Sequence, residues 1–234
     1  MPDIITSPSP NFDDRGPGFT VDMLVIHYTG METAGAALDR LRDPKAEVSA
    51  HYLIEENGNV HRLVDEKHRA WHAGVSAWRG NTDINARSVG IELVNPGHEF
   101  GYRDFPEAQI RELEAVCFGV LTRHPIPARN VVGHSDVAPT RKTDPGELFP
   151  WARLAGKGIG LWPDEADILN MEPIALATEL RDIGYDTQDF PAALKAFQRH
   201  WRPERVTGRV DEGTARRIFG LVDLIRATDA KASS

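Results

Sequence analysis

The sequence predicts an α/β fold, a central mixed β-sheet flanked by helices, with a small three-helix domain at its C-terminal end. Three observations carry this expectation. Short apolar runs alternate with longer segments of helical period, an Asn-Gly turn joins two of those runs, and a glycine-rich break precedes three amphipathic segments.

Taken in order, residues 1–19 are rich in Pro, Asp and Gly and predict an extended surface lead-in. "MLVIHYT" (23–29) has the pattern of a buried strand. "TAGAALDRLRD" fits a helix that Pro44 stops. "SAHYLIEENGNVHRLV" reads as a strand, a turn on Asn57-Gly58 and a second strand. "SVGIELV" (88–94) is another strand, and Pro106 opens an amphipathic helix to about His124. Cys117 lies on the apolar side of that helix and is expected in the core. As the single cysteine, it excludes an intramolecular disulfide and a cysteine-based zinc cluster. "NVVGH" (130–134) is a further short strand.

"AGKGIGLWPDE" (155–165) breaks the pattern. Beyond it, "EPIALATELRDIG" is a helix with Gly184 as its stop, "FPAALKAFQRHW" presents Leu194, Phe197 and Trp201, and "DEGTARRIFGLVDLI" presents Ala215, Ile218, Phe219, Val222 and Ile225. This unit is close to the lower size limit for an independent core. The tail "ATDAKASS" is expected to be disordered. The predicted domains are 8–158 and 166–227.

Apolar residues make up 41% and charged residues 26%, the profile of a soluble globular protein. The net charge of −8 gives no basic field for nucleic acid, and no segment is long enough to enter a bilayer. A monomer is expected. No basic-then-apolar leader is visible, so a cytoplasmic location is expected, with a periplasmic or outer-membrane-attached one left open if a leader was removed.

The chemistry-bearing residues sit at strand ends. His27 and His134 each end an apolar run, and Glu92 interrupts a third, sharing a strand face with Gly90 and Val94. With Asp144 the two histidines make an N, N, O set, the kind that holds hydrolytic zinc with one position open. Glu92 beside it can accept a proton from the attacking water, and Lys142 can meet an oxyanion. On the residues alone, the bland alternatives stay open. A strand-end histidine is more often structural, a mid-strand glutamate is more often solvated or ion-paired, and a lysine near an aspartate is more often a surface pair. A Ser135-His134-Asp136 triad is rejected because adjacent side chains diverge. The helical H-E-x-x-H signature is absent.

"LVIHYT", "SAHYLI", "AWHAGVSAWRG", "SVGIELVNPGH", "VVGHSDVAPTRKTDPG" and "FPWARL" follow one another in that order. Together they resemble the type 2 N-acetylmuramoyl-L-alanine amidases, the zinc enzymes of the AmpD and AmiD kind, related to T7-type lysozyme and peptidoglycan recognition proteins. The resemblance covers about residues 8–155. It implies zinc ligation by His27, His134 and Asp144, water activation by Glu92, transition-state stabilisation by Lys142 and binding of a peptide carboxylate by Arg141. Some relatives carry a cysteine as third ligand or an assisting tyrosine before the "H[YF]" pair. Here Asp144 and Ala50 stand there, so Glu92 is expected to carry more of the proton transfer. Trp71, His72 and Trp78 are candidates to line a substrate groove, and Asn85 matches a position near the site. His51 is expected to be structural, and no case for ligation exists for His61, His68, His98, His124 or His200. The C-terminal helices resemble three-helix peptidoglycan-binding domains, through "LRDIGYD", "ALKAFQRHWRP" and "TGRVDEGTARRI". The function implied is cleavage between N-acetylmuramic or 1,6-anhydro-N-acetylmuramic acid and L-alanine, in peptidoglycan or its fragments, during wall turnover or recycling. The rival readings are a recognition module without turnover and a zinc peptidase acting on wall peptides.

Overall fold

A computed structural model describes residues 3–168 and 171–232. Its centre is a six-stranded mixed sheet in the order β1-β5-β4-β7-β3-β8. The strands are β1 (Ile4–Thr6), β3 (Met23–Tyr28), β4 (Tyr52–Ile54), β5 (Val60–Arg62), β7 (Ser88–Leu93) and β8 (Val131–Gly133). Only β4 and β5 pair antiparallel, joined through the Asn57-Gly58 turn; the other neighbours run parallel. A separate two-stranded ribbon pairs β2 (Phe12–Asp14) with β6 (His68–Ala70).

The helices before the glycine-rich break are α1 (Ala34–Arg42), α2 (Ile84–Arg87), α3 (Gly97–Phe100), α4 (Glu107–Arg123), α5 (His134–Val137) and α6 (Trp151–Ala155). Thr33 caps α1, its hydroxyl accepting the N–H of Ala36. The C-terminal helices are α7 (Pro173–Ile183), α8 (Phe190–Trp201) and α9 (Glu212–Ala232). Among the described residues, no helix is long and apolar enough to cross a membrane.

Strand alternation sorts the sheet into two layers. Leu24 and Ile26 of β3, with Val89, Ile91 and Leu93 of β7, face α4 and bury Ile110, Leu113, Val116, Cys117 and Val120. Met23 and Val25 face the other way, into a cluster that runs without interruption through Trp78 and Ile84 to Leu176, Leu180, Phe197 and Ile218 of the C-terminal helices. The three helices therefore do not close an independent core. Their apolar faces complete the second layer of the sheet. Trp78 lies against Gly184, where a Cβ would come within 2.6 Å of the indole; with φ at 149°, the position suits glycine on both counts.

Two terminal expectations change. Part of the lead-in pairs with the sheet, Ile4 to Thr6 lying beside Val60 to Arg62, because β-branched residues meet an open edge there. Arg15 then buries its guanidinium and donates to the carbonyls of Glu66, Asn85 and Ala86. At the other end α9 continues to Ala232 through the expected disordered tail, with Asp229 paired to Arg129. Residues 1–2 of the lead-in and 233–234 of the tail lie outside the described residues.

Glu66 joins the hairpin to the end of α4. Its carboxylate accepts from the Tyr52 hydroxyl, the Arg123 guanidinium and His124 Nε2, each at 2.6 Å. Burial pushes this carboxyl up, but those donors overcome it and hold it down at about 2 against an ordinary 4.5. Its contribution to stability is therefore present above pH 4.5 and lost as the pH falls from there toward 2. Glu66→Gln should flatten that acid limb in chemical denaturation and cost about 1 kcal/mol at neutral pH. An unchanged acid limb would mean that the network does no such work. For the shared core, Phe197→Ala should cost about 3–5 kcal/mol in one cooperative calorimetric transition. Two transitions, with the sheet's unmoved, would contradict a single core.

Candidate metal centre and active site

Parallel pairing of β3 with β7 sets His27 directly beside Glu92. His27 follows Met23 and Val25 on its strand face, and Glu92 follows Ser88 and Gly90 on the neighbouring one. β8, on the other side of β3, ends at Gly133, and the chain turns at once into α5 with His134 as its first residue. Asp136 fixes this turn: its buried carboxylate accepts from Gly133 N–H at 2.7 Å, from the Tyr185 hydroxyl at 2.6 Å and from His200 Nδ1 at 2.6 Å. The Asp144 loop is fastened beside it. Ser135 N–H donates to the Asp144 carbonyl at 2.8 Å, the Tyr102 hydroxyl donates to the Pro145 carbonyl at 2.7 Å, and the hydroxyls of Tyr28 and Thr143 lie 2.9 Å apart.

These elements bring three donor atoms together. His27 Nδ1 lies 2.9 Å from His134 Nδ1, and Asp144 Oδ2 lies 3.1 Å from the first and 3.0 Å from the second. All three residues are buried, and among the described residues no other His, Cys, Asp or Glu trio clusters this closely. His134 Nε2 is 3.0 Å from the Ala73 carbonyl, which can only accept, so Nε2 carries a hydrogen, and in the neutral ring that a metal requires Nδ1 is bare. Lone pairs facing one another in a buried spot need a cation. Ligand atoms about 2.0–2.2 Å from a tetrahedral ion are about 3.3–3.6 Å apart, so the observed edges of 2.9–3.1 Å are a few tenths of an ångström contracted and otherwise fit.

The electrostatics agree. Burial, reinforced by His134, lowers His27 to about 4 and keeps it neutral. Burial, with the charge of Asp144 adding, pushes Glu92 up to about 8. Glu92 Oε2 is buried and has no hydrogen-bond partner. A carboxylate in this state is suited to holding and releasing a proton.

A cavity of about 300 Å³ opens over the cluster and is lined by Trp71, His72, Glu92, Arg141, Lys142 and Asp144 among others. Arg141 is partly committed: Nη2 donates to the carbonyls of Ala73 and Val75, both at 2.8 Å, so it also anchors the 73–75 loop. Trp71 lines the cavity with an unpartnered indole N–H. One of the three groove candidates is placed elsewhere. Trp78 is 1% exposed, packs edge-on against Tyr185 and donates to Asn130, because its loop runs under the C-terminal helices. Asn85 turns inward, its Oδ1 accepting the N–H groups of His72 at 3.1 Å and Ala73 at 2.8 Å. It shapes the site through the backbone.

The remaining histidines are engaged in structure. His51 accepts the N–H of Gly90. His61 pairs with Glu55, His98 with Glu147, His124 with Glu66 and His200 with Asp136. The ring of His68 stacks on Phe12. Sequence reasoning missed Asp136, Tyr28 and Tyr102 as fasteners of the ligand loops. For Tyr28 a signal existed, since it directly follows His27. For Tyr102 and Asp136 the partners are remote in sequence and leave no local trace.

The family described as N-acetylmuramoyl-L-alanine amidase matches residues 17–147, a stretch that runs from before His27 to just beyond Asp144. The chain belongs to this family. It is 38% identical over 222 residues to N-acetylmuramoyl-L-alanine amidase AmiD of Escherichia coli, across 83% of this chain and 79% of that protein. It is 39% identical to 1,6-anhydro-N-acetylmuramyl-L-alanine amidase AmpD of Citrobacter freundii, across 63% of this chain and 86% of AmpD. The structure of AmpDH3 from Pseudomonas aeruginosa with anhydromuramic pentapeptide superposes with a TM-score of 0.79 at 34% identity, covering 93% of this chain and 95% of that one.

The donor trio predicts one divalent ion per chain, measurable by elemental analysis after dialysis against zinc. Saturation at about 100 times the dissociation constant should add about 2.7 kcal/mol of stability, removed by a chelator. Asp144→Ala should abolish both effects. A variant that still bound one zinc and gained the same stability would place the ion elsewhere.

Proposed function

We propose that the chain is a zinc amidase cleaving the bond between the lactyl carbonyl of N-acetylmuramic acid, or its 1,6-anhydro form, and L-alanine. The observation that carries the reading is the partnerless carboxylate of Glu92, held beside His27 at the mouth of a three-donor metal cluster. Family membership supplies the bond class. The anhydromuramic pentapeptide bound to AmpDH3, a structure that covers nearly all of this chain, supports a muramoyl-peptide substrate.

His27, His134 and Asp144 would hold the zinc. An ion with one open position supplies Lewis-acid activation of the carbonyl and of the attacking water. Glu92 would take the proton of the attacking water as its oxygen bonds the carbonyl carbon, and return it to the L-alanine nitrogen as the C–N bond breaks. Lys142, which lines the same cavity, would offer positive charge to the carbonyl oxygen as it becomes anionic. Trp71 and Arg141 bound the space for the sugar and stem peptide. In this reading residues 8–158 carry the chemistry. Residues 166–227 hold Asp136 from behind through Tyr185 and His200, whatever affinity for the wall they add.

The test is mass spectrometry after incubating the zinc-loaded protein with an anhydromuramoyl tripeptide. Free anhydromuramic acid and a peptide beginning with L-alanine are expected. Glu92→Gln should keep its zinc and lose about 100- to 10,000-fold in turnover. Cleavage within the peptide would indicate a peptidase, and binding without cleavage a recognition module. Full turnover by Glu92→Gln would remove this residue from the chemistry.

A further inference from the structure

We propose that His72 is a positioning residue that selects which nitrogen of His27 faces the metal, as the middle member of a one-way hydrogen-bond chain from His27 through Ser88 to the carbonyl of Ile84. This rests on the zinc reading above, but its geometry stands within the chain's own residues.

The direction follows from the far end. Ser88 Oγ is 2.6 Å from the Ile84 carbonyl oxygen, which only accepts, so the single hydroxyl hydrogen is spent there. Ser88 Oγ must then accept from His72 Nε2, 3.1 Å away. With its hydrogen on Nε2, a neutral His72 ring has a bare Nδ1, and that atom lies 3.0 Å from His27 Nε2. His27 must therefore donate from Nε2, leaving Nδ1 bare and aimed at His134 Nδ1 and Asp144 Oδ2. In the opposite arrangement, with His27 donating from Nδ1 to Asp144, two lone pairs would meet at 3.0 Å between His27 and His72.

The ring of His72 has little freedom to choose otherwise. It lies flat over Gly90, where a Cβ would sit 2.5 Å from its Cγ, so the β7 face is cut away to seat it. Its own N–H and that of Ala73 are both taken by Asn85 Oδ1. The next carbonyl, Ala73, accepts from His134 Nε2. One dipeptide thus sets both imidazoles, His72 by its side chain and Ala73 by its backbone. His72 reaches the floor of the cavity, 8% exposed, with its ring beneath the ligand His27. Partners of this kind orient a ligand imidazole and raise its basicity.

Two measurements on the full chain test this. Long-range proton–nitrogen correlation spectra of the metal-free protein should show His72 and His27 both carrying hydrogen on Nε2 with bare Nδ1. His72 carrying hydrogen on Nδ1 would overturn the proposal, and this measurement stays decisive even if zinc does not bind. Second, zinc competition against a chromophoric chelator should show His72→Phe about 10- to 100-fold weaker than the parent. His72→Asn, whose side-chain oxygen can accept in place of Nδ1, should recover much of that loss. Equal affinity for His72→Phe and the parent, with His27→Ala unable to bind, would refute the positioning role while leaving the metal site intact. Should His72→Phe fail to fold, the spectra of the parent protein still decide between the two tautomers.

Discussion

Three electron-pair donors turned toward one another in a buried pocket are the constraint around which this molecule is arranged. Without a cation, two bare imidazole nitrogens and a carboxylate oxygen within 3.1 Å repel one another and have lost their water. Such a cluster persists only when surrounding structure over-determines it. Here it does so from two directions. The parallel register of β3 on β7 carries His27 and Glu92 on rigid strands, while a set of hydroxyl and backbone bonds ties the Asp144 loop to the start of α5.

The C-terminal helices take part in this arrangement. Their apolar faces finish a core that begins on the sheet with Met23 and Val25. Their polar reach ends on Asp136, two residues from His134, where the Tyr185 hydroxyl and His200 Nδ1 meet a carboxylate that also holds Gly133. His200 is itself stacked between Trp151 and Trp201, with ring centroids 3.7 Å away on each side. A side chain so confined transmits the placement of α8 to the metal-binding turn. This gives a physical reason for the amidase portion and the helical portion to share one core, beyond any affinity of the helices for the cell wall.

The strands were legible because buried parallel strands are short apolar runs and because Asn57-Gly58 marks a hairpin. The donors were legible because six ordered blocks resembled one family; strand-end histidines and a carboxylate inside "VGIELV" left a structural reading open on their own. What stayed hidden depends on partners distant in sequence. An Ile-Ile-Thr lead-in does not announce the edge it will join, and Trp78 does not say which side of its loop is covered. Apolar stripes on three short helices look alike whether they face one another or a sheet. The polar face Ser88, Gly90, Glu92 did hold a clue, since glycine between two polar residues marks a place where something must approach closely. That something is the ring of His72.

The position of the ion is the most direct test of this arrangement. Anomalous diffraction at the zinc edge from crystals of the zinc-loaded protein should give a single peak within about 2.0–2.2 Å of His27 Nδ1, His134 Nδ1 and Asp144 Oδ2. A peak away from this trio, or coordination of His27 through Nε2, would contradict both the centre and the hydrogen-bond chain that orients it.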